Sequence, residues 1–439
     1  MSEPPTVGEE IKGLELGESL NLWGEAARLI PGGSQTNSKR PSAFSFGRYP
    51  IFISRGRGSH LCDVDGNEYL DLVGALGPIS LGYCHPAVDA AVREQLELGT
   101  SSGLLWPVEI EAARGLVEAM PCAAGDPSGT VRFFKGGGEA TAAAARIARA
   151  HTGRHVILNA GYRGWPDTWA AGRDDAVPPD LRRYLVPFEL GDAEGLERLL
   201  AEHRGQVAAI FTNLPYDGSA GAGYLRAARR LADASGALLV FDEIVHGFRL
   251  AVGGMQEHFG VVPDLACFAK AMANGMPLAA VIGRADVMEA ILNCQVSITY
   301  GGEPLSLAAC AAVMREYRER DVIGHLWRIG EMLMEGLNHV GEESGVPFRC
   351  CGHAPMSAMA LDLAPDQVAP AWDLFLGEAA RRGVLFRRGG LNMVTLAHTP
   401  DDVQVAVEAA AGALESLRRA GFTSAAGGGG DQRVGAWTR

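Results

Sequence analysis

From about residue 100 onward the chain alternates short apolar runs with amphipathic stretches, and this alternation restricts its fold more than any other feature. Thr130–Phe134 is a short β-rich run, and His155–Asn159, Val207–Thr212, Ala237–Phe241 and Leu265–Ala269 are further short, mostly apolar runs. Helix-like segments such as Glu139–His151, Asp192–His203 and Tyr224–Ser235 lie between several of them. Strands that alternate with helices in this way form a parallel sheet covered on both faces. The pattern predicts an α/β fold with a largely parallel sheet between helices. Upstream, residues 45–75 read as short strands about the turn Asp63-Val64-Asp65-Gly66-Asn67, a hairpin signal, and His85–Gly99 as an amphipathic helix. Downstream, Glu303–Ser344 reads as mostly helical. Met356–Leu363, Val384–Arg388 and Met393–Ala397 read as strands of a final α+β lobe, closed by a helix near Asp401–Ala420. The implied plan is an N-terminal segment with part of a small domain (1–95), a large domain (96–310), a C-terminal small domain (311–420) and a disordered tail (421–439). There is no internal repeat.

Composition narrows the function. With 39 basic and 52 acidic residues the net charge is −13, whereas a nucleic-acid binder would present a basic surface. Met1–Glu10 is polar and acidic and carries no secretory pattern. No run of about 18 apolar residues could span a membrane, so a cytoplasmic protein is expected. Cys62, Cys84, Cys122, Cys267, Cys294, Cys310, Cys350 and Cys351 form no CxxC pair. They read as reduced thiols, with no metal site. Glycine is in excess: 57 of 439 residues, about twice the usual share. Such an excess is either flexible filler, as in Gly427–Gly430, or backbone that passes close to something.

Three segments carry chemistry. The apolar run Leu238–Phe241 ends in Asp242-Glu243, and Leu265–Ala269 ends in Lys270. Side chains at the carboxyl ends of parallel strands face the ligand crevice. A lysine entering an apolar, Gly- and Pro-bearing loop is costly as an ammonium but suits a Schiff base with a carbonyl cofactor. An acid beside a pyridine nitrogen keeps that ring electron-withdrawing, so Lys with Asp is the pairing pyridoxal phosphate needs. Taken alone, Asp242 reads more readily as a helix cap and Lys270 as a snorkelling surface lysine. Next, Val131–Phe134 runs into Lys135-Gly136-Gly137-Gly138-Glu139-Ala140, a Gly-rich turn opening a helix. Free amides at a helix N-terminus cradle phosphate, although such a turn can be purely structural. Finally, Gly161-Tyr162-Arg163-Gly164-Trp165 sets an aromatic between glycines, either to stack on a planar ring or to fill a core.

Together these segments resemble the class III aminotransferases, which are fold type I pyridoxal-phosphate enzymes, and within them the glutamate-1-semialdehyde aminomutase branch. The resemblance runs from about Gly17 to Leu417. It also rests on Ile30-Pro31-Gly32-Gly33, Leu81–Pro86, Gly247-Phe248-Arg249, Pro263-Asp264-Leu265, Thr299–Pro304 and Leu396–Thr399. It implies a mostly parallel seven-stranded sheet in the large, cofactor-binding domain. It also implies a small α+β domain drawn from both chain ends. By the same resemblance Lys270 holds the cofactor as a Schiff base and Asp242 partners the pyridine nitrogen. Gly137 and Gly138 hold the phosphate through their amides, and Tyr162 stacks on the ring. Thr299 reaches the phosphate of a neighbouring subunit, so a homodimer with shared active sites is implied.

The departures are specific. The usual Asn-Ser-Gly-Thr-Glu-Ala loop is here Lys135–Ala140, without its two hydroxyls. Arg163 stands where the family has His, Leu214-Pro215 where it has Glu-Pro, and Glu303 where it has Asn. Arg387–Asn392 lacks the acid of the semialdehyde mutases, which argues against synthesis of 5-aminolevulinate. The expected reaction is ping-pong transfer of an amino group from an amino donor to an aldehyde or ketone. Trp106, Arg163, Trp165 and Glu303 are candidate substrate residues. They suit a polar acceptor such as a sugar aldehyde or aminoglycoside intermediate, and related branches serve antibiotic or cell-surface sugar pathways. The alternatives are an aminomutase, epimerase or elimination enzyme on the same scaffold, a non-catalytic cofactor-binding protein, and a nicotinamide oxidoreductase. The glycine spacing does not fit the last of these.

Overall fold

The structure is a computed structural model that describes residues 14–125, 129–170 and 176–423. The chain divides into two compact units, one of residues 14–76, 81–85 and 325–423, the other of 77–80 and 86–324. The Gly-rich tail beyond residue 423 lies outside the described residues.

The larger unit is built on a seven-stranded sheet. Its order is Thr130–Phe134, Ala279–Gly283, Leu265–Phe268, Leu238–Asp242, Val207–Thr212, Val156–Asn159, Leu185–Pro187. Ala279–Gly283 alone runs antiparallel to its neighbours, so the other six strands point the same way. Every residue of Val207–Thr212 and Leu238–Asp242 is buried, as two covered sheet faces require. The helix Gly137–Thr152 lays Ala140, Ala143, Ala144, Ile147 and Ala148 into the core with Phe211, Val240 and Leu265. Its alanines let it approach the sheet closely. The helices Pro86–Leu98 and Pro107–Ala119 pack against Pro304–Glu319. For that reason the units part at 85/86 and 324/325, whereas the order of predicted elements suggests 95 and 310.

The smaller unit holds two sheets. Ile53–Arg57, His60–Asp63, Glu68–Asp71 and Val384–Leu385 form one in that order, and Phe348–His353, Met356–Leu361 and Leu391–Met393 form an antiparallel second. The predicted hairpin is present. Asp63 organises its turn by accepting from the amides of Asp65 and Asn67 at 3.0 and 2.8 Å and from Tyr69 Oη at 2.8 Å. Two predicted strands are shorter or displaced. Val384–Leu385 ends early because the Arg387 amide turns to Asn392 Oδ1, 3.0 Å away. The run expected at Met393–Ala397 is a strand only at Leu391–Met393. Beyond it His398 Nδ1 accepts from the Thr395 amide at 3.0 Å and closes a turn. The reading of the sequence did not pick out Ala279–Gly283, Phe348–His353 or the helix Pro365–Arg381.

His398 carries a pH prediction. It is 1% exposed, and burial lowers its pKa from 6.5 to about 4. Its Nδ1 is an acceptor, so the folded chain holds the neutral ring, whereas the unfolded chain takes up a proton near pH 6.5. The stability this contributes is complete above pH 6.5 and is lost as pH falls toward about 4. Urea unfolding should show stability falling between pH 6.5 and 5, and His398→Asn should flatten that slope; an unchanged slope contradicts this assignment.

Among the described residues, no helix is long and apolar enough to cross a membrane. Nor do they contain a group of three or more His, Cys, Asp or Glu side chains that could hold a metal.

Candidate active site

The larger unit brings its chemistry to one edge of the sheet. The loops leaving Thr130–Phe134, Val156–Asn159, Val207–Thr212, Leu238–Asp242 and Leu265–Phe268 all emerge at the carboxyl ends of parallel strands. Asp242 is the last residue of its strand and pairs with Cys267 of the next. Lys270 follows three residues after Cys267, so acid and lysine leave neighbouring strands on the same edge. Lys270 is half-buried and has φ +52°, in the left-handed region. A non-glycine residue held there is strained backbone, a feature that concentrates at functional positions. It opens the 3₁₀ turn Lys270–Ala273, which closes on Asn274 and Gly275 at φ +43° and +105°.

Asp242 is 8% exposed. Its Oδ1 accepts from the Ile244 amide at 3.0 Å and its Oδ2 from Arg163 Nη1 at 3.1 Å. Each oxygen retains a second lone pair for a further donor. Glu243, next in the chain, is turned away from this edge. Its carboxylate accepts from the amides of Met255 and Gln256 at 3.0 and 3.1 Å. Burial pushes its pKa up to about 8.

The glycine loop is half self-satisfied and half open. Glu139 Oε2 accepts from the amides of Lys135 and Gly136 at 3.0 and 2.9 Å, which caps the helix. Gly137 and Gly138 are its first two residues, whose amides have no intrahelical acceptor. Gly164, at φ +114°, crosses this loop so closely that a Cβ there would lie 2.7 Å from Gly138 Cα. Thr141 Oγ1 donates to the carbonyls of Arg163 and Gly138 at 2.7 and 3.1 Å and fixes the crossing. Gly164→Ala should therefore cost about 2 kcal/mol or more in urea unfolding of the apoprotein and weaken cofactor binding. An unchanged midpoint would show that the two loops can separate freely.

The remaining expected residues fall in different places. Tyr162 is 56% exposed on the turn that Gly161 starts at φ +89°, so it is not a core aromatic. Trp165 is exposed as well. Trp106 starts the helix Pro107–Ala119, with its amide on Glu109 Oε1 at 2.8 Å. Glu303 accepts from the amides of Leu305 and Ser306 at 2.7 and 3.2 Å and from Lys135 Nζ at 2.7 Å. Burial opposes its ionisation, but Lys135 and Ser306 outweigh that and hold the carboxyl below its ordinary range. Glu303 thus joins the phosphate-type loop to the helix Pro304–Glu319. Thr299 is exposed in a turn.

Three neighbours were not singled out as site residues by sequence. Asn213, the first residue beyond Val207–Thr212, has its Oδ1 2.9 Å from Arg163 Nη1. Tyr216 stacks on the buried His246, with ring centroids 5.3 Å apart and planes at 19°. Burial, and after it the Asp242 charge, raise the Tyr216 pKa. The only available signal was position, one to four residues past a strand's carboxyl end.

The residues fit pyridoxal phosphate. Open amides at Gly137 and Gly138 suit the phosphate, Asp242 keeps acceptor capacity for a ring N–H, and Lys270 leaves the adjoining strand.

The family described as aminotransferase class-III matches residues 43–168 and 188–419. The chain is 35% identical over 430 residues to a glutamate-1-semialdehyde 2,1-aminomutase of Syntrophobacter fumaroxidans, spanning 90% of this chain and 97% of that one. It is 34% identical over 419 residues to a 3-aminobutyryl-CoA aminotransferase of Cloacimonas acidaminovorans, spanning 92% and 99%. The solved FumI protein of Sphingopyxis sp. MTA144, in its pyridoxal-phosphate internal aldimine form, superposes with a TM-score of 0.85 at 28% identity, covering 91% and 96% of the two chains.

Proposed function

The chain belongs to the class III aminotransferases and is a pyridoxal-phosphate enzyme of fold type I, and from that premise we propose that it transfers an amino group from an amino donor to an aldehyde or ketone acceptor by a ping-pong mechanism. The observation that carries this reading is Asp242 and Lys270 at the ends of adjacent parallel strands, on the same edge as the open Gly137-Gly138 amides. When bound, the cofactor supplies an electron sink for a carbanion. Asp242 would hold the ring nitrogen, Gly137 and Gly138 the phosphate, and Tyr162 a ring face. The Lys270 amine is the group placed to carry the proton at the substrate carbon.

The acceptor is read only to that class. A sugar or aminoglycoside acceptor rested in part on Arg163 and Glu303. Both spend their charge on internal partners, Asp242 and Lys135, so neither supports it. A second reading, an aminomutase, is favoured by the 35% identity to a glutamate-1-semialdehyde aminomutase, while the acid-free Arg387–Asn392 stretch weighs against it. A donor screen decides between them. Bleaching of the visible absorption band by an amino donor, and its return with a carbonyl acceptor, supports transamination. Isomerisation of one substrate with no amine exchange supports the mutase.

We also propose a homodimer with shared active sites. Thr299 and Tyr300 stand exposed, and Leu104 and Leu105 are 83% and 87% exposed. Apolar side chains left this bare are characteristic of a surface that another chain covers. Light scattering should give twice the chain mass, and Thr299→Ala should weaken cofactor binding about tenfold while leaving the dimer intact. A monomer that binds the cofactor as tightly as expected for the family contradicts this.

A further inference from the structure

Arg163 is 3% exposed, a depth at which a permanent charge must be paired. Its Nη1 reaches three acceptors: Asp242 Oδ2 at 3.1 Å, Asn213 Oδ1 at 2.9 Å and its neighbour's carbonyl, Tyr162 O, at 2.8 Å. Its Nη2 donates to the Ala160 carbonyl. Asn213 is itself fixed, its Nδ2 donating to Leu214 O at 2.9 Å. One guanidinium therefore ties together the loops that follow Val156–Asn159, Val207–Thr212 and Leu238–Asp242, three strands adjacent in the sheet.

The consequence falls on Asp242. A carboxylate at a strand end can rotate about its Cβ–Cγ bond. Here the Ile244 amide holds one oxygen and Arg163 the other, so the carboxylate plane is set from both sides. The lone pairs left over then point in fixed directions. A planar fork with several donors can impose such an orientation, whereas a point charge cannot.

We propose that Arg163 is a positioning residue for the cofactor: it acts through Asp242, holding that carboxylate in the orientation that receives the pyridine N–H. The proposal rests on the pyridoxal-phosphate assignment and adds to it a role for a residue that the sequence pointed toward substrate. It assigns Arg163 no contact with substrate. Nor does the guanidinium need to move during turnover, since every group it touches belongs to the scaffold of the sheet edge.

The test measures binding rather than turnover. Apoprotein is titrated with pyridoxal phosphate and, separately, with its carbocyclic analogue, in which the ring nitrogen is replaced by C–H. Arg163→Gln should weaken pyridoxal phosphate about tenfold or more, yet change the analogue's affinity by less than about threefold, because the analogue makes no bond to Asp242. Arg163→Lys should weaken pyridoxal phosphate as well, since a lysine restores charge without the fork. Equal losses for both ligands would show that Arg163 only supports the fold, and would overturn the proposal. So would unchanged affinity for both. If Arg163→Gln does not fold, the same comparison in Arg163→Lys decides, with the same outcomes for and against. Wild-type protein that binds no pyridoxal phosphate would count against the cofactor assignment itself, which separates the two failures.

Discussion

Lys270→Ala is expected to lower turnover by about a thousandfold or more and to abolish the visible absorption band that appears when wild-type protein takes up pyridoxal phosphate. No other lysine leaves the strand next to Asp242: Leu265–Phe268 pairs with Leu238–Asp242, and the chain reaches Lys270 two residues beyond it. In the proposed mechanism the amine would both hold the cofactor aldehyde and move the substrate proton, so its loss would remove both. The fold should survive. Lys270 is half-buried, while Ala271, Met272 and Ala273 behind it are fully packed and hold the turn. Alanine inherits the same φ of +52°, so backbone strain is neither added nor relieved. Retention of the band, or of more than about a tenth of the turnover in a folded variant, would remove Lys270 from the chemistry.

Asp242→Ala is the second large effect, and it acts on stability as well as activity. The Arg163 guanidinium would keep its Asn213 and carbonyl partners but lose the one anion that pairs with it among the described residues, at a side-chain exposure of 2%. Removing one member of a buried ion pair costs about 3–5 kcal/mol, because the other charge stays buried without compensation. Urea unfolding of the apoprotein should show that loss. Asp242→Asn keeps the shape and an oxygen for Arg163, so it should destabilise less while turnover still falls by about a hundredfold or more. The two variants separate the structural part of Asp242 from the chemical part. An Asp242→Ala protein as stable as wild type would show that Arg163 finds another acceptor.

Most of the fold was legible in the sequence because its signals are local. Val207–Phe211 is apolar at every position, as a strand covered on both faces requires, and it lies in one. Gly136 before the Ala-rich segment and Gly153 after it mark the ends of the helix Gly137–Thr152, with Gly153 at φ +66°. The unit boundaries were less legible, because they depend on Pro86–Leu98 packing against Pro304–Glu319, some 200 residues apart. The strand expected at Met393–Ala397 was displaced for a local reason: three residues on, the buried ring of His398 takes the Thr395 amide.

By itself the sequence determined the chemistry on offer: a lysine and an acid at the ends of apolar runs, a glycine-rich turn opening a helix, and an aromatic between glycines. These follow from residue type and short spacing. What only the tertiary structure decided is which charges meet. Arg163 finds Asp242 across 79 positions, and Lys135 finds Glu303 across 168. Two residues that the sequence offered to the substrate are thereby spent inside the protein. The physical reason is that a buried charge takes whatever opposite charge the fold brings within about 3 Å. Spacing along the chain carries no record of that distance.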